Sequence, residues 1–101
     1  MNSGNFYIKT GTIDNVSVPT NNSNSVTITG INPASGYTRV VLCVETNNAS
    51  TNGTMYSWCY VYNCSYESNG IKCFIKNTAT GGAAKIKIKV TCAYFLTSSF
   101  K

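Results

Sequence analysis

Residues 85–94, KIKIKVTCAY, limit what this chain can fold into more than any other stretch. Ile86, Ile88, Val90, Cys92 and Tyr94 fall on one side of an extended backbone, and Lys85, Lys87, Lys89 and Thr91 on the other. A helix repeats its faces about every 3.6 residues, so a strict period of two cannot bury one helical stripe. As a strand, the same pattern buries a branched apolar face and leaves a charged one outside.

This strand closes a longer unit, residues 58–95, that reads as three strands joined by two turns. In the first strand Trp58, Tyr60, Tyr62 and Cys64 share one parity, and Cys59, Val61, Asn63 and Ser65 the other. Asn69-Gly70 is a turn dipeptide. Ile71, Cys73 and Ile75 then alternate with Lys72, Phe74 and Lys76. Residues 77–82, NTATGG, form the second turn, where paired glycines tolerate positive φ.

Upstream, Phe6, Tyr7 and Ile8 make a small apolar cluster, either a first edge strand or a connection to a preceding stalk. NVSVP at residues 15–19 is a short strand ending at a proline, which suits a sheet edge. In SVTITGI, residues 25–31, Val26 and Ile28 point inward. YTRVVLCVE, residues 37–45, is almost continuously apolar and is expected to be covered on both faces. Residues 46–56 form the longest polar loop. Short strands at regular spacing with turn residues between them predict an all-β, antiparallel two-sheet β-sandwich of about six to eight strands. The expected division is residues 1–10 as an N-terminal segment or stalk connection, and residues 11–101 as the sandwich.

Composition narrows the function. The 101 residues carry 8 Lys and Arg against 3 Asp and Glu, a net charge of +5. That charge suits an anionic partner: nucleic acid, a membrane surface or acidic polysaccharide. Seven of the eight cations are Lys, and base reading leans on Arg, so nucleic acid is not the expected partner. No apolar run approaches membrane-spanning length, so no membrane insertion is expected. The N-terminus lacks the apolar core of a signal peptide.

Catalysis finds little to work with. There is no His, and the side-chain carboxylates are Asp14, Glu45 and Glu67. Glu45 and Glu67 both border loops and are conceivable as a pair, but solvated loop carboxylates are the simpler reading. A cysteine nucleophile would lack its imidazole base. The expectation is a non-enzyme with no cofactor. The five cysteines, Cys43, Cys59, Cys64, Cys73 and Cys92, all fall within strands and show no close knuckle spacing, so no metal is expected. They read as core thiols in a protein folded in a cytoplasm, with a Cys73–Cys92 bridge geometrically open but not implied.

Three features remain. Lys85, Lys87 and Lys89, with Lys72 and Lys76 on the neighbouring strand, predict one five-lysine face, solvated or anion-seeking. The parity Trp58, Tyr60, Tyr62 suits a core wall, a subunit interface or a sugar platform, because all three want amphipathic rings. Tyr56 and Tyr66 lie near loops, where a ligand is reached more easily. Asn-x-Ser/Thr sequons at Asn15, Asn21, Asn48, Asn52 and Asn63 follow from composition.

The order strand, Asn63-Cys64-Ser65, Asn69-Gly70-Ile71, strand, Asn77, glycine-rich turn, strand ending in an aromatic resembles the C-terminal domains of phage tail fibres and baseplate receptor-binding proteins. Residues 11–96 carry the resemblance, with SVTITGI and YTRVVLCVE as its earlier pieces. It implies an H-type-lectin-like sandwich that forms a homotrimer and binds bacterial cell-surface glycan at the tip of a virion fibre, folded in the host cytoplasm. On that basis Tyr56, Trp58 and Tyr66 are the expected sugar contacts, with Asn47, Asn48 and Asn52 supplying hydrogen bonds. A structural virion or fibre component, or an extracellular bacterial adhesin domain, is the alternative.

Overall fold

The computed structural model describes residues 6–100. It is all-β, with six strands in two antiparallel three-stranded sheets. Sheet A has the order β1 (Phe6–Val18), β6 (Ala84–Leu96), β3 (Tyr37–Asn48). Sheet B has the order β2 (Ser23–Ile28), β5 (Gly70–Asn77), β4 (Cys59–Glu67). Among the described residues, helical structure is limited to two 3-10 turns, Tyr56–Trp58 and Thr97–Phe100. The long strands give an elongated body, 50 × 21 × 19 Å.

The alternation in residues 85–94 places β6 at the centre of sheet A. Ile86, Ile88, Val90, Cys92 and Tyr94 are fully buried. β5 is its counterpart at the centre of sheet B, with Ile71, Cys73 and Ile75 fully buried. The two apolar parities meet across the core, together with Val16, Val18, Ile28 and Ile31. Each buried branched side chain contributes about 2 kcal/mol of transfer free energy. The phenol of Tyr94 crosses the core to donate to the Ile31 carbonyl, so its polar end is satisfied.

Four expectations change. First, residues 58–95 are not one sheet. β4 and β5 form a hairpin in sheet B, and the chain then crosses to sheet A as β6. Two fully apolar parities are covered better facing each other than side by side. The single five-lysine face is lost with that crossing: Lys72 and Lys76 lie on sheet B, and Lys85, Lys87 and Lys89 on sheet A. Cys73 and Cys92 are likewise on opposed sheets, not adjacent strands, and all five thiols are free.

Second, β3 is an edge strand covered on one face only. Leu42 is 56% exposed and Val40 is also open to solvent. The sequence is apolar on both sides because Val40 and Leu42 stand on the open face, and a bulge between Val41 and Cys43 resets the alternation. Third, the Phe6–Ile8 cluster and NVSVP are two ends of one edge strand. β1 runs unbroken past the boundary expected at residue 10, and it bends at a bulge between Ile13 and Val16 where Asn15 takes φ 57°. Asparagine tolerates that left-handed backbone better than most residues. Fourth, β3 extends through Asn48, so the long polar loop shrinks to residues 49–55.

The Asn69-Gly70 dipeptide is used differently from a simple turn signal. Glu67 pairs with Gly70, so the turn residues are Ser68 and Asn69 and the glycine opens β5. A Cβ on Gly70 would stand 2.0 Å from the Ile28 carbonyl oxygen. Glycine is therefore required by the approach of the β2 backbone, which cannot withdraw without breaking its pairing to β5.

Candidate functional site

The outward parity of sheet B forms the most distinctive surface. Its cross-strand rows are Ser23–Lys76–Tyr60, Ser25–Phe74–Asn63 and Thr27–Lys72–Ser65. A bulge between Val61 and Asn63 inserts Tyr62 into this face. The bulge also moves Cys64 from the parity of the tyrosines to the inward parity, where it opposes Cys73. A one-residue shift flips every following side chain, so of the expected parity Tyr60 and Tyr62 meet on this face, while Trp58 lies in the turn before β4.

Tyr60 and Tyr62 are 51% and 53% exposed, so they are not a core wall. Their rings contact edge to face at 6.3 Å, and Tyr62 tilts against Phe74 at 6.1 Å. The Lys72 ammonium lies 5.2 Å from the Phe74 ring centre. Lys76 Nζ donates to the Asn21 carbonyl at 3.2 Å, which holds it at the other end of the same strand. A shallow depression of about 330 Å³ beside the rings is lined by Ser23, Asn24, Ser25, Tyr62 and Phe74. A groove of about 420 Å³ runs along β4 towards Val44 and Thr46 of β3. Flat ring faces beside hydroxyl, amide and ammonium groups can stack on an apolar ligand face and hydrogen-bond its rim. Phe74 was not singled out from sequence. The signal was there: it shares the outward parity of Lys72 and Lys76.

Of the six residues expected to bind, Tyr56, Trp58 and Asn48 come together at one turn, and Tyr66 lies apart at Arg39. Trp58, 55% exposed, ends the 3-10 turn that feeds β4, and its carbonyl accepts from the Thr78 backbone N–H and hydroxyl. Tyr56 opens that turn, and its N–H donates to Asn48 Oδ1 at 3.4 Å. Asn52 sits in the loop with φ 55°. Asn47 belongs to the outer surface of sheet A, in a depression of about 310 Å³ with Thr12, Glu45, Thr46, Lys87 and Lys89. Tyr66 is at the far end of β4, eight residues from Trp58, which is about 27 Å of extended strand. Its ring lies under the Arg39 guanidinium at 4.7 Å and its hydroxyl donates to the Arg39 carbonyl. Arg39 in turn donates to Asn32 Oδ1 at 3.1 Å. Tyr66 thus braces sheet B against β3.

The carboxylates are dispersed. Glu45 pairs across from Lys89 on sheet A, while Glu67 ends β4 on sheet B, so the conceivable pair is not formed. Asp14 accepts from the Ser50 and Asn15 N–H groups. The bonds from Ser50, above all, hold its carboxyl below the usual range. Among the described residues no group of three or more His, Cys, Asp or Glu side chains could hold a metal. No helix among them is long and apolar enough to cross a membrane.

Cys64 Sγ lies 3.7 Å from Cys73 Sγ. Burial first, and then the neighbouring Cys64, push the Cys73 thiol up to about 12, and burial also raises Cys59 and Cys92. Tyr94 is raised to about 12, again chiefly by burial. Cys73 and Tyr94 stay protonated in the folded chain while the unfolded chain ionises from about pH 9. Their contribution to stability is therefore complete below pH 9 and lost as pH rises to 12. Urea titrations should show falling stability across that window. At pH 8 a thiol reagent should modify exposed Cys43 quickly and Cys73 only on unfolding; equal rates would contradict the burial.

The chain matches no protein-family model, no curated protein and no solved structure.

Proposed function

We propose that this chain is a non-catalytic binding module, the receptor-binding tip of a phage or phage-derived tail fibre, and that it recognises bacterial surface saccharide. One observation carries the reading: Tyr60 and Tyr62 stand half-exposed beside Phe74 on the outer face of a rigid sheet. Large rings at such exposure lose burial free energy unless a ligand covers them. Short hydroxyl and amide side chains around them, Ser23, Ser25, Asn63 and Ser65, match the polar rim of a sugar ring.

Each platform is shallow, so a single site binds weakly. Repetition in a homotrimer would raise avidity by effective concentration. The test is retention of the purified domain on intact bacterial cells and on a panel of isolated cell-surface polysaccharides. Saturable binding, displaced by soluble polysaccharide, is expected. Absence of binding to every saccharide would overturn the reading.

A second reading, a structural fibre component, draws on a different surface. Phe6, Ile8, Val40 and Leu42 are exposed on sheet A, away from the tyrosine platform. Such an apolar end suits packing between subunits. Sedimentation at micromolar concentration distinguishes the two: a stable oligomer without saccharide binding would favour the structural role.

A further inference from the structure

Resting on the saccharide reading, we infer that the ligand of the sheet B platform is an acidic polysaccharide, one bearing carboxylate or phosphate groups along an extended chain. The platform is bracketed by cations. Lys72 and Lys76 flank Phe74 on the same outward face of β5. Four residues of strand separate them, about 13 Å. Each is held in place: Lys72 by the Phe74 ring and Lys76 by the Asn21 carbonyl. A fixed ammonium loses less freedom on binding than a free one.

The carboxylates are distributed to match. Asp14 and Glu45 belong to strands of sheet A, and in sheet B Glu67 stands at the hairpin end of β4. No carboxylate lies in the rows of Tyr60, Tyr62 and Phe74. Lys89, by contrast, sits across from Glu45, and Lys87 donates to Ser50 Oγ beside Asp14. Lys87 and Lys89 of sheet A thus lie near carboxylates, whereas Lys72 and Lys76 of sheet B share their outward face with Phe74 and have no carboxylate in their rows.

Single-stranded nucleic acid also pairs stacking with cations. Two lysines this far apart are sparse for a strand carrying a phosphate on every residue, and the chain's one Arg is engaged with Asn32 and Tyr66. A sugar polymer with its charges spaced out fits the ring–cation–hydroxyl pattern better.

The experiment uses the whole chain against matched polymers: polygalacturonate and its fully methyl-esterified form, polysialic acid and its lactone, and a mannan bearing phosphomonoesters with the same mannan after phosphatase treatment. Expected is at least 10-fold tighter binding to an acidic member than to its neutral twin. That difference should fall steeply between 50 and 500 mM NaCl, on the order expected from screening. Lys72→Gln/Lys76→Gln should abolish the difference. Lys85→Gln/Lys87→Gln, which removes the same charge from the opposite sheet, should leave it intact. Equal loss in both variants would assign the effect to overall charge and overturn the inference. Equal binding to both twins would overturn it while the saccharide reading stands. Binding to an oligothymidylate but to no saccharide would overturn both.

Discussion

Asn77→Asp should remove about half of this protein's folding stability at neutral pH. Asn77 ends β5 and is fully buried, where the strand leaves sheet B for sheet A. Its Nδ2 donates to the carbonyls of Val18 and Gly82, both at 3.2 Å, and its Oδ1 accepts from the Ala79 N–H at 2.9 Å. Its own N–H bonds the Asn22 carbonyl. One side chain therefore ties β1, β5 and the crossover together. Aspartate has the same shape but no donors, so a buried carboxylate would face two carbonyl oxygens. Such a substitution costs about 3–5 kcal/mol, from a total that is ~5–10 kcal/mol for a domain of this size. Urea unfolding followed by circular dichroism should show the loss at pH 7. Partial recovery is expected towards pH 4, because the protonated acid regains one donor. A loss under about 1 kcal/mol would show that the crossover is held by other contacts.

Tyr60→Ala/Tyr62→Ala should do the opposite: leave stability nearly unchanged and remove binding. Both rings are half-exposed, Tyr60 against Tyr62 and Tyr62 against Phe74. The cost to folding is confined to an edge strand with one solvated face, about 1 kcal/mol. Stacking on a saccharide is lost altogether, which should reduce affinity at least 100-fold. Tyr66→Phe serves as the contrast. It removes the hydroxyl that bonds Arg39, so a modest stability loss of about 1 kcal/mol is expected with binding retained. If Tyr66→Phe weakens binding as much as the double substitution does, the ligand occupies the Arg39 end of β4 instead.

These two variants mark what was and was not legible in the sequence. The six strands and their antiparallel sandwich followed from period-two patterns, most plainly in β6, where inward and outward residues alternate without interruption. The sheet partners did not follow. Nothing in the alternation of residues 70–96 distinguishes a hairpin from a crossover, because both leave the same residues buried. The signal was Asn77, a polar residue on the buried parity of β5, which needs partners from several segments at once. The bulges at Tyr62 and between Val41 and Cys43 were equally silent. Each inserts one residue, and parity arithmetic then misassigns everything beyond it. For that reason the alternation groups Cys64 with the tyrosines, whereas β3 reads as covered on both faces because Val40 and Leu42 are apolar on its open face. The aromatic parity carried through to the outer face of β4 for Tyr60 and Tyr62. Asn47 lies exposed on sheet A and Tyr66 packs under Arg39, while Phe74 stands between two lysines in the outward parity of β5.

Backbone chemical-shift mapping of the whole chain during titration with an acidic polysaccharide locates the binding surface directly. The amides of Tyr60, Tyr62, Asn63, Lys72 and Phe74 should move together and saturably, with those of Lys85, Lys87 and Lys89 unaffected. Shifts confined to sheet A, or spread evenly over both faces, would contradict a binding platform on sheet B.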